Sequence, residues 1–119
     1  MNKVYIPQEP MRFDKATESM VPSVNLEPAA DYGDITICLP PGQVALSTQP
    51  TVDRLKECLK DFSDNDYLVA VGDPSLIAIC SAIVAETNRG KFKLLKWIRD
   101  RKQYVQVQVD IYHRLNKGD

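Results

Sequence analysis

One strand–turn–helix unit, YLVAVGDPSLIAICSAIVAETNRG, restricts what this chain can fold into more than any other stretch. Residues 67–71 are apolar and β-prone, and the Gly-Asp-Pro turn at 72–74 ends the strand. Residues 74–88 then read as a helix, and Gly90 is typical of a helix C-terminus. A strand that feeds a helix in this way predicts a right-handed crossover between parallel strands, and therefore an α/β sheet.

The rest of the chain extends this unit to the order β-β-α-β-α-β-β. A strand at 4–6 is closed by Pro7 and Pro10, and a surface excursion over 11–33 follows, with one helical turn at Pro28–Tyr32. Next come a strand at 35–39, a brief return strand at 44–46, and a helix that Ser47 or Thr48 opens near Pro50 and that runs to 62. The chain ends in a hairpin with arms at 91–98 and 104–112 around a turn at 99–103. We predict one α/β (α+β) domain over residues 1–119. It has a mixed sheet, two helices in β-α-β-α-β order and a C-terminal antiparallel hairpin.

Charge is unevenly distributed along the chain. The net charge is −1, but residues 1–88 carry 6 Lys/Arg against 13 Asp/Glu, while residues 89–119 carry 9 against 3. A near-neutral total gives the whole molecule no bias toward nucleic acid or membranes, whereas the basic last quarter points to a local surface. No apolar run reaches the length of a signal peptide or a membrane span, so no membrane association is expected.

The three cysteines, Cys38, Cys58 and Cys80, lie far apart in sequence and in apolar settings. The odd count predicts reduced thiols in a cytosolic compartment. Zinc is not expected, because there is no C-x-x-C pair and only one histidine.

The Gly-Asp-Pro turn occupies the place where many α/β enzymes hold phosphate, but its composition argues against that role. It has one glycine and no lysine, and Pro74 lacks an N–H that could bind an anion. Asp73 would also repel a phosphate. We predict that Asp73 caps the helix and that Pro74 takes its first position. If the protein were an enzyme, Asp73 and Ser75 would be the first residues to examine.

The helix that follows has no charged residue from Pro74 to Ala85. A helix that is apolar on most sides is buried on most sides. Two explanations remain open: a core helix whose small residues face outward, or a helix that a second copy of the chain covers in a homodimer.

The C-terminal hairpin carries the candidate binding surface. Its valines at 105, 107 and 109 share one face, which predicts that the opposite face gathers cations, amides and aromatic rings. The candidate partner-binding residues are Lys91, Lys93, Trp97, Arg99, Arg101, Lys102, Tyr104, Gln106 and Tyr112. Such a face suits single-stranded nucleic acid or an acidic protein surface. It is also compatible with a solvated edge strand, or with Trp97 packed under the N-terminal segment.

No sequence pattern supports catalysis. His113 is isolated, and Asp61, Asp64 and Asp66 lack the spacing of a calcium loop. Nucleophile-elbow and metalloprotease motifs are absent from the sequence. We therefore expect a protein that is not an enzyme and needs no cofactor.

Four segments together resemble a known group of sequences. VYIPQEP, DFSDNDYLVAVGDP, NRGKFKLLKWIR and YVQVQVDI resemble segments of small uncharacterised proteins of tailed bacteriophages, and the resemblance spans most of the chain. It implies a phage gene expressed in the bacterial host cytoplasm, and it carries no activity or functional residue with it.

These observations lead to one principal hypothesis and three alternatives. The first is a non-catalytic phage protein that contacts a host or phage protein through the basic hairpin. The alternatives are a nucleic-acid-binding accessory protein that uses the same face, a minor virion component, and an enzyme with a site near Pro40–Gly42 and Gly72–Ser75.

Overall fold

The computed structural model describes residues 2–42 and 49–113 of the chain. The predicted return strand at 44–46 and the helix start at Ser47 or Thr48 lie outside these residues. The elements of the described part are β1 (Lys3–Gln8), β2 (Met11–Asp14), β3 (Ser19–Pro22), a 3-10 helix (Glu27–Tyr32), β4 (Asp34–Leu39), α1 (Gln49–Leu59), β5 (Tyr67–Val69), α2 (Pro74–Thr87), β6 (Lys91–Ile98) and β7 (Gln103–Asp110).

A five-stranded mixed sheet organises the fold, in the order β4-β1-β5-β6-β7. The first four strands run parallel, and β7 pairs antiparallel to β6 at the edge. The predicted fold class, with its helices in β-α-β-α-β order and its C-terminal hairpin, is confirmed. The chain does not advance in one direction, however. It steps from β1 outward to β4 and then crosses back over β1 to β5.

Both α-helices cover one face of the sheet and form the first core with it. Residues of α1 and α2 pack there against alternate side chains of the strands, because successive residues of a strand point to opposite faces. The fully buried members of this core are Leu55, Leu59, Leu68, Leu76, Cys80 and Val84, with Tyr5 nearly so.

A second core lies on the opposite face of the same sheet. The segment around the 3-10 helix covers it, through Leu26 and Ala29. Its strand residues are Val4, Ile6, Val69, Leu95 and Tyr104, and Val71 just after β5 joins them. The inner strands β1 and β5 are thus buried on both faces, which explains why they read as nearly continuous apolar runs, whereas Ile35 and Ile37 of the edge strand β4 are exposed.

Helix α2, which has no charged residue before Glu86, packs in the way that the core-helix explanation expects. Leu76, Cys80 and Val84 are buried against the sheet, and Ala78 and Ala82 lie on the exposed side. The small outward residues limit the apolar area that this side leaves in water. A homodimer through this helix remains a prediction.

Two expectations for the N-terminal third were wrong. Pro7 does not close β1, which continues to Gln8. The ladder between β1 and β5 has already ended at Tyr5, so Pro7 need not donate on that side. The excursion is also not irregular throughout, since β2 and β3 form a separate two-stranded antiparallel sheet. The helical turn expected at Pro28–Tyr32 is confirmed as part of the 3-10 helix.

The expectation of three reduced thiols was also wrong, so the cysteines no longer argue for a cytosolic compartment. Cys38 on β4 and Cys58 on α1 form a disulfide, with their Cα atoms 5.6 Å apart. They are 20 residues apart in sequence, but the crossover from β4 into α1 brings strand and helix together. Cys80 is free and buried, and burial raises the pKa of its thiol to about 12.

Within the described residues, no helix is long and apolar enough to cross a membrane. In the same part of the chain, no three His, Cys, Asp or Glu residues gather in a way that could hold a metal ion. Asp66, one of the three aspartates at 61, 64 and 66, is buried as a hydrogen-bond acceptor in the loop before β5.

Candidate functional site

The β6–β7 hairpin arranges the predicted binding residues by its register. Residues directly opposite in an antiparallel pair point to the same face of the sheet. The cross-strand pairs on one face are Lys91 with Asp110, Lys93 with Gln108, Leu95 with Gln106, and Trp97 with Tyr104. We call these eight residues the lysine face. The prediction that the lysines, Trp97, Tyr104 and the glutamines share a face is confirmed.

The aromatic end of the lysine face is not open to solvent. Tyr104 is only 4% exposed, and its ring lies 4.9 Å from that of Trp97, centroid to centroid. The Tyr104 hydroxyl donates to the carbonyl of Asn25 at 3.3 Å, and the Tyr32 hydroxyl donates to the carbonyl of Tyr104 at 3.0 Å. Burial also raises the pKa of Tyr104. The second core therefore includes Tyr104 and packs against Trp97, as the alternative with Trp97 under the N-terminal segment expects, and Tyr104 offers no open ring for stacking.

The polar end of the lysine face remains accessible. Lys91, Gln106 and Gln108 are exposed. Lys93 is half-buried, and its ammonium lies 4.1 Å from the centroid of the Tyr67 ring, a cation–π geometry. This contact holds the Lys93 side chain against the domain and leaves Lys91 as the freer cation.

The remaining predicted residues lie elsewhere. Arg99, Arg101 and Lys102 are exposed in the β6–β7 turn. At about 3.3 Å per residue the turn lies roughly 23 Å along the strand from Lys91. Tyr112 is 71% exposed beyond the end of β7. The structure thus separates the nine predicted residues. Lys91 and Lys93 lie at the start of the hairpin, Trp97 and Tyr104 pack with the second core, and Arg99, Arg101 and Lys102 lie at the tip. Gln106 and Tyr112 are exposed outside these groups.

An open groove of about 600 Å³ lies beside the cationic start of the hairpin. Its charged lining comes from Lys91, Lys93, Asp64 and Asp110, with His113 at the edge. The mixture of signs favours polar contacts with a protein surface over capture of a highly charged polyanion.

A second concavity lies at the carboxyl ends of the parallel strands. From β1 the chain leaves toward β4, and from β5 it leaves toward β6, so these neighbouring strands send their connections in opposite directions. In α/β sheets this switch point is the usual place for a ligand crevice. Here the crevice has a volume of about 410 Å³. It brings Gly42 together with Gly72 and Asp73, the two segments that the enzyme alternative singled out.

The polar groups of this crevice are acidic or already engaged. Asp73 accepts a hydrogen bond from the Ser75 N–H at 2.8 Å, so its predicted role as helix cap is confirmed. The Gln8 amide donates to the carbonyls of Pro40 and Gly42 at 2.6 and 3.0 Å. Glu9 adds a second carboxylate to the lining. This arrangement suits a cation or a hydrogen-bond donor and disfavours phosphate.

Sequence reasoning missed the hairpin that borders this crevice. In β2 and β3 the directly opposite pairs are Met11 with Pro22 and Phe13 with Met20, and these four share one face. We call it the methionine face. Its signal was limited to β2, where Met-Arg-Phe-Asp alternates, because Ser-Met-Val-Pro of β3 does not alternate and stretches this short resemble a loop.

The fold therefore defines a small mixed α/β domain with an antiparallel edge hairpin, a switch-point crevice and a second, separate hairpin. The chain belongs to the Phage Pam3 gp32-like protein family, whose sequence model matches residues 2–111. The resemblance to small tailed-phage proteins is confirmed to that extent. No curated protein and no solved structure matches the chain.

Proposed function

We propose that this phage protein is a non-catalytic binding protein that contacts an acidic surface of a host or phage protein, in the bacterial host cytoplasm, through the exposed cations of the β6–β7 hairpin. The observation that carries the proposal is the exposure of Lys91 at one end of the hairpin and of Arg99, Arg101 and Lys102 at the other. Exposed cations favour a partner of opposite charge and speed its association.

The burial of Tyr104 favours a protein partner over nucleic acid. Single-stranded nucleic acid relies on bases stacked on open aromatic rings as well as on backbone charge. Tyr104 and Trp97 pack against each other and against the N-terminal segment, so the hairpin offers its cations without that platform. The glutamines between the two cationic ends add neutral donors and acceptors for a protein surface.

The test is affinity capture from bacteria infected with the phage that encodes the protein, with and without nuclease. The wild type is compared with Arg99→Ser/Arg101→Ser/Lys102→Ser and with Lys91→Ser. The control variant Arg54→Ser/Lys56→Ser removes two exposed cations from α1. The captured protein is then purified and its affinity measured at increasing salt.

A nuclease-resistant partner that binds the wild type and control, loses affinity in the hairpin variants and weakens as salt rises supports the proposal. If the captured material is lost after nuclease treatment, the binding partner is nucleic acid and not a protein. Recovery with assembled particles would make the protein a virion component. A partner that binds all variants equally excludes the hairpin as the contact surface.

A further inference from the structure

The methionine face is an apolar surface that nothing in the described structure covers. Phe13 is 58% exposed and Met20 is 56% exposed, and they lie directly opposite each other. Met11 and Met20 are also the only methionines after the first residue. Exposed apolar clusters on a soluble domain mark interaction sites, and methionine adapts readily to partners of different shape.

The hairpin that carries this face is held in shape before any partner arrives. Asp14 accepts a hydrogen bond from the Ala16 N–H at 3.1 Å and another from the Thr17 hydroxyl at 3.1 Å. At the base, the Ser23 N–H donates to the carbonyl of Pro10 at 2.9 Å. A preorganised surface loses less conformational entropy on binding than a loose loop does.

The methionine face continues into the switch-point crevice. Met11 and Met20 line the crevice together with Glu9 and Asp73. Among residues 2–42 and 49–113, the one ion pair joins Lys60 to Glu57, so neither crevice carboxylate is neutralised by a cation there. An apolar surface that ends at two carboxylates is complementary to an apolar side chain followed by a cation.

We propose that the methionine face and the adjoining crevice form a docking site for a protein segment in which an apolar side chain lies next to Lys or Arg. The apolar side chain packs on Phe13 and Met20, and the cation reaches the carboxylates of Glu9 and Asp73. This site is independent of the proposed basic hairpin, because an acidic surface that suits Lys91 would be repelled here. Anionic lipid would be repelled for the same reason.

In the experiment, a library of displayed random peptides is selected for binding to the immobilised full chain. The selected peptides are then synthesised and their affinities are measured. Three variants are compared with the wild type. Phe13→Ser/Met20→Ser removes the apolar contact. Glu9→Gln/Asp73→Asn removes the charge, and asparagine still caps the helix. Ile111→Ser is the matched control, since it removes an apolar side chain of similar exposure elsewhere.

We expect the selected peptides to carry Lys or Arg beside Leu, Ile, Phe or Met. Affinity should fall about tenfold or more in the Phe13/Met20 variant and about three- to tenfold in the carboxylate variant, with no change in the control. A second readout needs no variant: the methyl NMR signals of Met11 and Met20 should shift when a selected peptide is added to the wild type.

Several outcomes would overturn the proposal. One is the selection of acidic or uncharged peptides, and another is a selection that enriches no peptide. A third is binding that survives in the Phe13/Met20 variant while the methionine signals stay unchanged. Self-association by sedimentation that this variant abolishes would assign the face to a second copy. Loss of binding to lipid vesicles in the same variant would assign it to a membrane.

Discussion

Asp66 joins the first strand to the loop before β5. It is only 4% exposed, and its carboxylate accepts the Lys3 N–H at 2.9 Å, the Ser63 N–H at 2.9 Å and the Ser63 hydroxyl at 3.1 Å. Hydrogen bonds to a charged acceptor are stronger than neutral ones, and their loss leaves polar groups without partners. We predict that Asp66→Ala lowers the free energy of unfolding by about 2–4 kcal/mol, measured by urea denaturation.

The control for this prediction is two residues away. Asp64 is exposed and accepts one hydrogen bond, from the Asn88 amide at 2.8 Å. Asp64→Ala should cost no more than about 1 kcal/mol. Equal losses in the two variants would show that burial of the Asp66 carboxylate does not matter.

The Cys80 thiol should resist chemistry in the native state. Burial raises its pKa to about 12 from an ordinary value of 9.0, so the thiolate is scarce at ordinary pH. Iodoacetamide at about pH 8 should therefore leave the native protein unlabelled. After denaturation without reductant, iodoacetamide should add one group, on Cys80. After denaturation with reductant, it should add three groups, one on each cysteine. Mass spectrometry counts the additions, and three additions without reductant would contradict the Cys38–Cys58 disulfide.

At the residue scale, what the sequence could predict depended on distance along the chain. The cap at Asp73 was predictable because its hydrogen-bond partner is two residues away. The role of Asp66 was only partly predictable, because Ser63 is three residues away but its other partner, Lys3, is 63 residues away. The burial of Tyr104 was hidden for the same reason, since Asn25 and Tyr32 belong to a distant segment.

At the scale of elements, the Cys38–Cys58 disulfide fastens the edge strand β4 to α1. A cross-link stabilises a protein mainly by restricting the unfolded chain, and the effect grows with the length of the closed loop. For a separation of 20 residues we predict that Cys38→Ser/Cys58→Ser lowers the free energy of unfolding by about 3 kcal/mol. The measurement is urea denaturation under oxidising conditions.

Reductant distinguishes this effect from a loss of packing. Adding it should destabilise the wild type by a similar amount and leave the double variant unchanged. If the variant is destabilised but the wild type does not respond to reductant, the cysteines contribute by packing and not by their bond.

The elements also differ in how well their patterns identified them. The two strand–helix units, β4 with α1 and β5 with α2, were predictable. In each unit an apolar run is followed by a segment whose apolar residues recur with the helical period. β2 and β3 were missed because half of their apolar side chains stay in water, so no core imposes a clear alternation. The basic hairpin was located correctly, but its alternating valines indicated a core on one side only and left packing on the other side as an alternative. Leu95 and Tyr104 show that the opposite side is also a core side.

At the scale of the whole molecule, the two cores share one sheet, and this predicts a single cooperative unit. The first core contains Cys80, and the second includes the half-buried Trp97, the only tryptophan of the chain. If the packing on one face of the sheet is lost, strands that also form the core on the other face become exposed. This arrangement supports the prediction that the chain is one domain, although the two layers come from different segments.

Cys80 and Trp97 can test this prediction because each reports on one core. In a urea titration, Trp97 fluorescence and the labelling of Cys80 by a brief pulse of thiol reagent should change at the same midpoint, with a slope of about 1–3 kcal/mol per molar urea. Phe13→Ser/Met20→Ser should leave that midpoint nearly unchanged, because the methionine face contributes to neither core. Separate midpoints for the two probes would mean that one layer unfolds first. The sheet would then hold two cooperative units and not one.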